Sequence, residues 1–138
     1  MPLNVLIVDD SAAMRSIIQK TLTLSGLEIE KIHHASNGQE ALDVLDGNWV
    51  DLALVDINMP VMDGETFINR VREDSDLSDL PIVVVSTESS ETRIDELKAK
   101  DVEFIHKPFA PETLRETVFT ITGAKHGTGT IQSSGLDF

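Results

Sequence analysis

Val5-Leu6-Ile7-Val8-Asp9-Asp10-Ser11 is an unbroken apolar run that stops at two aspartates and a serine. Four consecutive apolar residues leave no polar face, so a strand built from them must be covered on both sides, as in a parallel sheet between layers of helices. The pattern recurs along the chain. Leu52-Ala53-Leu54-Val55 ends at Asp56, and Ile82-Val83-Val84-Val85 ends at Ser86-Thr87. Ile29 to Ala35 and Glu103 to His106 are weaker strand candidates, the second followed by Lys107-Pro108.

Helical patterns fill the intervals. Met14, Ile17, Ile18 and Leu22 recur at helical spacing, with Ser11 placed to cap the start and Gly26 to stop the end. Asn37 is placed to cap a second helix that turns Ala41, Leu42 and Leu45 inward and closes at Gly47. A turn through Asn58-Met59-Pro60 and Asp63-Gly64 leads to a third, carrying Phe67, Ile68 and Val71. Ile94 and Leu97 mark a more polar fourth helix. Pro111 suits the first turn of a last helix that presents Leu114, Val118 and Ile121. Five β–α units in succession predict an α/β fold, a doubly wound five-stranded parallel sheet with right-handed crossovers.

Composition bounds the function. A chain of 138 residues fits one domain, read here as residues 1–123, followed by a flexible Gly/Ser/Thr-rich C-terminal tail over 124–138. Leu136-Asp137-Phe138 reads as a frayed end ahead of a docking peptide. No stretch approaches the roughly 18 apolar residues of a membrane span, and Met1-Pro2-Leu3-Asn4 lacks the basic region and cleavage site of a secretory signal, so none is expected. The absence of cysteine excludes disulfides and thiolate metal sites, and a cytoplasmic location is expected. With 24 acidic against 11 basic side chains, the formal charge is −13. That sign disfavours direct nucleic-acid binding, which rewards clustered Lys and Arg.

In an open parallel sheet, ligands gather outside the carboxyl ends of the strands. Those ends deliver Asp9 and Asp10, Asp56, Ser86 and Thr87, and Lys107. Taken singly, each has an ordinary reading as a turn residue, a helix cap or a solvated surface charge. Together they imply one shared site. Two like charges about 4 Å apart repel by roughly 4 kcal/mol at an effective dielectric near 20, so a cluster of three carboxylates must admit a proton or a cation. A hard divalent ion with oxygen ligands suits it, and Mg²⁺ prefers one or two carboxylates together with phosphate oxygens and water.

The Asp9-Asp10 pair, the run Asp56-Ile57-Asn58-Met59-Pro60-Val61-Met62-Asp63-Gly64, Ser86 and Lys107-Pro108-Phe109 resemble the response-regulator receiver family over residues 3 to about 122. The pattern is most similar to stand-alone chemotaxis receivers of the CheY-like kind. The resemblance implies a flavodoxin-like sheet of strand order 2-1-3-4-5. It also implies a phosphorylation-activated switch in a two-component system, with a histidine kinase as phosphodonor and a downstream protein target. By the same resemblance Asp56 is the phosphoryl acceptor. Asp10, Asp56 and the backbone carbonyl of Asn58 hold Mg²⁺, with Asp9 acting through water. Lys107 contacts the phosphoryl oxygens, Ser86 donates a hydroxyl hydrogen bond to them, and Phe104 is the switch aromatic. Partner binding is expected on the face of the fourth helix, fifth strand and last helix, around Ile94, Lys98, Phe104 and Val118, although Ile94 and Val118 also read as core by helical spacing, Val118 more so. Such a protein is not an enzyme in the ordinary sense, since it catalyses only its own phosphorylation and dephosphorylation.

Two positions depart from the pattern. Thr87 stands where the family usually has a small residue, and Glu103 where many relatives carry glycine. Asn58 and Glu88, flanking the site, match receivers that dephosphorylate themselves rapidly, so a short-lived phosphorylated state is expected. Three alternatives stay open on sequence: a receiver module cut from a larger regulator or hybrid kinase, a scaffold that is never phosphorylated, and an aspartyl-nucleophile phosphatase. The last wants an acid two residues beyond the nucleophile, where this chain has Asn58.

Overall fold

The structure, a computed structural model, describes residues 2–126. Five strands, β1 (Leu3–Val8), β2 (Ile29–Ala35), β3 (Leu52–Val55), β4 (Ile82–Ser86) and β5 (Glu103–His106), alternate with five helices. These are α1 (Ala12–Leu24), α2 (Gly38–Gly47), α3 (Gly64–Glu73), α4 (Glu91–Lys98) and α5 (Pro111–His126). The strands form one sheet in the order β2-β1-β3-β4-β5, and every pair is parallel. This is the doubly wound, flavodoxin-like arrangement that the sequence predicts.

Strand side chains alternate between faces, so the apolar runs feed two separate core layers. Leu6, Val8, Ala53, Val55, Ile82 and Val84 pack on one face against α2, α3 and α4, through Ala41, Phe67, Ile68, Val71 and Leu97. Val5, Ile7, Leu52, Leu54, Val83 and Val85 pack on the other against α1 and α5, through Ile18, Leu22, Leu114, Val118 and Ile121. Burial on both faces explains why β1, β3 and β4 carry no polar alternation.

Side-chain caps start four of the helices. Ser11 and Asn37, placed as caps by the sequence, accept hydrogen bonds from the backbone N–H groups of Met14 and Glu40, and Asp63 and Ser90 do the same for Thr66 and Arg93. Gly26, beyond the end of α1, adopts φ +85°, which glycine reaches without strain.

One expectation changes. Ile17, counted with the inward stripe of α1, is 55% exposed, because Ile18 and Leu22, four apart, take the buried line. Val118, one turn from Leu114, is 1% exposed on the inward face of α5, with the core rather than with the outward surface. The last helix runs to His126. The remainder of the expected tail, 127–138, lies outside the described residues.

Val61 adopts φ +67° in the loop after β3 and is 85% exposed. A β-branched residue is strained in that left-handed region, and so exposed a side chain recovers little by packing. Val61→Gly should therefore raise stability by about 0.5–1 kcal/mol, strain relief outweighing the added freedom of the unfolded chain. Urea denaturation would register the gain as a higher midpoint at unchanged slope.

Candidate functional site

The site begins with register. Val8 pairs with Val55 in the parallel ladder, so Asp9 and Asp56 leave neighbouring strands at the same level. The Asp56 N–H donates to the Val8 carbonyl at 2.9 Å, and the Asp9 N–H donates to the Ala35 carbonyl at 3.0 Å. The ladder thus continues one residue past each strand and fixes the backbone from which both carboxylates project. On the far side Ser86 pairs with His106, and the Lys107 N–H donates to the Ser86 carbonyl at 2.8 Å. That carries Lys107 to the same edge.

Asp9, Asp10 and Asp56 each bring a carboxylate oxygen within 4.8 Å of the others. Their environments differ: Asp9 is buried, Asp56 half-buried and Asp10 exposed. Lys107 reaches into the group, its Nζ donating to Asp9 Oδ2 at 3.1 Å and lying 3.8 Å from Asp56 Oδ1. The other Asp9 oxygen accepts from the Ser11 N–H at 2.9 Å, and Asp56 Oδ1 accepts from the Ile57 N–H at 2.8 Å. Burial pushes the Asp56 carboxyl above its ordinary range. Lys107 opposes that shift, while Asp9 reinforces it, as Asp10 does more weakly. One cation therefore faces three carboxylates, and the cluster is short of positive charge.

A sign follows for stability. An acid whose folded value is raised favours the folded state most below its unfolded value, 3.8 for Asp56. That contribution is lost as pH rises through the elevated folded value. Asp56→Asn cannot ionise, so in chelator at neutral pH it should melt higher than the parent chain. The difference should shrink as pH falls toward 3.8; a gap that held constant with pH would show that cluster repulsion is not its source.

The remaining predicted positions lie on β4, on β5 and in the segments that follow β3 and β4. Ser86 is buried, and its Oγ accepts from the Glu88 N–H at 3.1 Å, leaving its hydroxyl proton free to donate elsewhere. Phe104 is half-buried and packs against the core layer beneath α4. Asn58 and Thr87 are exposed and Glu88 is half-buried. The Glu88 carboxylate accepts from the N–H groups of Ser89 and Ser90 at 3.2 and 3.1 Å, ahead of α4.

One supporting residue escaped the sequence reading, and another was read only as part of a turn and a motif. Arg15 Nη1 donates to the Asp9 carbonyl at 2.6 Å, and its Nε donates to His34 Nδ1 at 3.2 Å. His34 Nε2 lies 2.8 Å from Gln19 Oε1, so the ring is fixed as the Nε2–H tautomer. Burial and Arg15 hold its pKa below the ordinary value. Nothing in the sequence marks Arg15, an arginine in the first turn of a helix, as reaching back to a strand end. Gly64, named from the sequence as a turn and motif residue, has its reason in the fold: its N–H donates to the Ile57 carbonyl at 2.9 Å, with no room for a side chain between α3 and the Asp56 backbone.

Comparison with known proteins agrees with this geometry. The family model described as the response regulator receiver domain matches residues 5–119. A chemotaxis protein CheY homolog of Campylobacter jejuni is 38% identical over 129 residues, covering 92% of this chain and 98% of the relative. Chemotaxis protein CheY1 of Helicobacter pylori is 39% identical over 123 residues, covering 88% and 98%. The solved structure of chemotaxis response regulator CheY4 of Vibrio cholerae is 36% identical, superimposes with a TM-score of 0.75, and is matched over 88% of this chain and 99% of its own. Among the described residues no helix is long and apolar enough to cross a membrane. With the strand order, the acidic cluster and its lysine in place, the sequence match is decisive: the chain belongs to the response regulator receiver domain family.

Proposed function

We propose that this chain is a chemotaxis-type, single-domain response regulator of a two-component system that works in the cytoplasm. It accepts a phosphoryl group from a histidine kinase onto Asp56 and answers by changing what binds its α4-β5-α5 face. The observation that carries the reading is the convergence of Asp9, Asp10 and Asp56 with Lys107 at one edge of the sheet. Relatives named as chemotaxis proteins, alike over nearly their whole length, support the pathway.

The donor set suits Mg²⁺: all its side-chain ligands are carboxylate oxygens, one is exposed to admit water, and one local cation leaves negative charge unbalanced. Asp10, Asp56 and the Asn58 carbonyl would hold the ion, with Asp9 acting through water. When bound, Mg²⁺ neutralises charge on the transferring group. Transfer breaks the nitrogen–phosphorus bond of the donor histidine and forms an oxygen–phosphorus bond to the Asp56 carboxylate. Such a reaction depends on positioning and charge more than on covalent help. Ile57 N–H and the Val8 carbonyl fix the acceptor, and Lys107 offers an ammonium to the phosphoryl oxygens.

The new phosphoryl group brings roughly one to two extra negative charges and several acceptor oxygens. The Ser86 hydroxyl turns toward them to donate its proton, and the space it vacates lets Phe104 move inward. Two arrangements of one packed region are then biased by a local change of charge. Water attack on phosphorus returns phosphate and the free carboxylate, so the chain turns over only its own phosphoryl group. Asn58 and Glu88 beside the site favour a short lifetime.

Intact-protein mass spectrometry tests the proposal. Incubation with acetyl phosphate should add one phosphoryl group to the native chain, and chelation of Mg²⁺ or Asp56→Asn should abolish the gain. Absence of labelling, where a known receiver is labelled in parallel, would make the chain a receiver-like scaffold.

A further inference from the structure

At the opposite end of the sheet from Asp56 lies a surface that phosphoryl chemistry does not use. A hollow of about 580 Å³ opens between the end of α2, the entry to β3 and the segment that enters β4. A second, of about 500 Å³, continues it along α2 and α3, and the two share Leu45, Asp76 and Leu77. Together they form one groove. Its apolar lining includes Leu42, Leu45, Trp49, Val50, Leu77 and Leu80.

Trp49 stands out. It is the single tryptophan of the chain and is 78% exposed, where so large an apolar side chain is costly to leave in water. Its position is nevertheless fixed, because the indole Nε1 donates to Asp51 Oδ1 at 2.8 Å, while Asp51 Oδ2 accepts from the Asn4 N–H at 2.8 Å. The facing wall is equally held: Arg72 donates to the carbonyls of Ser78 and Leu80 at 3.1 and 2.8 Å. The groove is thus formed before anything binds, which lowers the entropic cost of binding.

Its charge is one-sided. Asp43, Asp46, Asp51, Asp74, Asp76 and Asp79 line the two hollows, and Arg70 is the single cationic side chain among their lining residues. A metal does not explain the acids: among the described residues, the one gathering of His, Asp or Glu with converging ligand atoms is Asp9, Asp10 and Asp56. A second copy fits poorly, since the chain carries 24 acidic residues against 11 basic and would present mostly like charge.

We propose that this groove docks a lysine- or arginine-rich amphipathic segment of a different protein, with an apolar side chain seated beside Trp49 and Leu77 and cations facing Asp46, Asp76 and Asp79. Apolar anchors with flanking complementary charge are how helices bind in grooves. The surface lies at the entry ends of β3 and β4, away from the acceptor, so docking is independent of phosphorylation and gives the receiver a second point of attachment.

Trp49 is the built-in reporter. A short synthetic peptide with leucine on one helical face and lysine on the other, titrated at about 0.15 M salt where long-range attraction is screened, should shift Trp49 emission to shorter wavelength and saturate. Asp76→Asn with Asp79→Asn should weaken its affinity about fivefold, as expected for two exposed ion pairs. Glu112→Gln with Glu116→Gln on α5, and Asp56→Asn, should leave it unchanged. A lysine peptide with serine in place of leucine should bind at least about tenfold more weakly. An unmoved Trp49 spectrum, equal weakening by both pairs of neutral variants, or equal binding of the serine peptide would overturn the proposal.

Discussion

Gly64→Ala should cost about 3 kcal/mol of stability, the upper end for forcing atoms into a packed position, and should cripple phosphoryl uptake with it. A methyl group at Gly64 would overlap the Asp56 carbonyl oxygen and come within 2.9 Å of Ile57 Cα. Both neighbours are backbone, so no flexible side chain can swing aside. Relief requires α3 to withdraw from β3, and that breaks the Gly64 N–H to Ile57 carbonyl bond and displaces the acceptor's own main chain. Against a total stability of roughly 5–15 kcal/mol for a small domain, the loss would be plain in thermal unfolding. Gly47→Ala is the control: nothing lies within 4 Å of a methyl there, and its melting temperature should stay level or rise slightly. Equal behaviour of the two variants would mean that α3 can move away freely.

Lys107→Ala should slow phosphoryl uptake about 100-fold, the lower end of what losing one charged stabiliser of a transition state costs. Stability without metal should fall as well, by about 2 kcal/mol. Asp9, with its side chain 3% exposed, then loses the ammonium at 3.1 Å. Breaking a buried pair generally costs 3–5 kcal/mol, and less here because the Ser11 N–H still donates to Asp9. The two effects separate on adding Mg²⁺, which should restore much of the stability by balancing the carboxylates while leaving the rate low. A rate that recovers with the stability would reduce Lys107 to a counter-ion for Asp9. Timed mass spectra and thermal melts on the same samples distinguish these outcomes.

The legible parts of this protein are those written in local pattern. Uniformly apolar runs revealed strands buried on both faces, and Ser11 and Asn37 signalled helix starts by short-range chemistry. The candidate site was legible because a parallel sheet brings its strand ends to one edge, so Asp9, Asp56 and Lys107 could be placed together without coordinates. Contacts set by three-dimensional approach were hidden. Arg15 meets the Asp9 carbonyl from a helix, Gly64 is a glycine because of what lies across from it, and Ile17 faces outward through a rotation of about 100° from Ile18. Trp49 and the aspartates beyond α2 are scattered in sequence, and the groove they form exists only once β3 and β4 lie side by side.

The pairing of Val8 with Val55 and of Ser86 with His106 bears on how such a chain can be lengthened. Because side chains alternate with a period of two residues, one inserted residue in β1 or β3 would swing its terminal aspartate to the opposite face of the sheet. Only a bulge, of the kind the β1–β2 ladder makes between Leu3 and Asn4, would return that carboxylate to its face. Growth by insertion is therefore costly along the strands and open at the turns. A reporter loop or a fused domain could be accommodated after α1, at the turn made by Gly26, while the acidic cluster keeps its geometry.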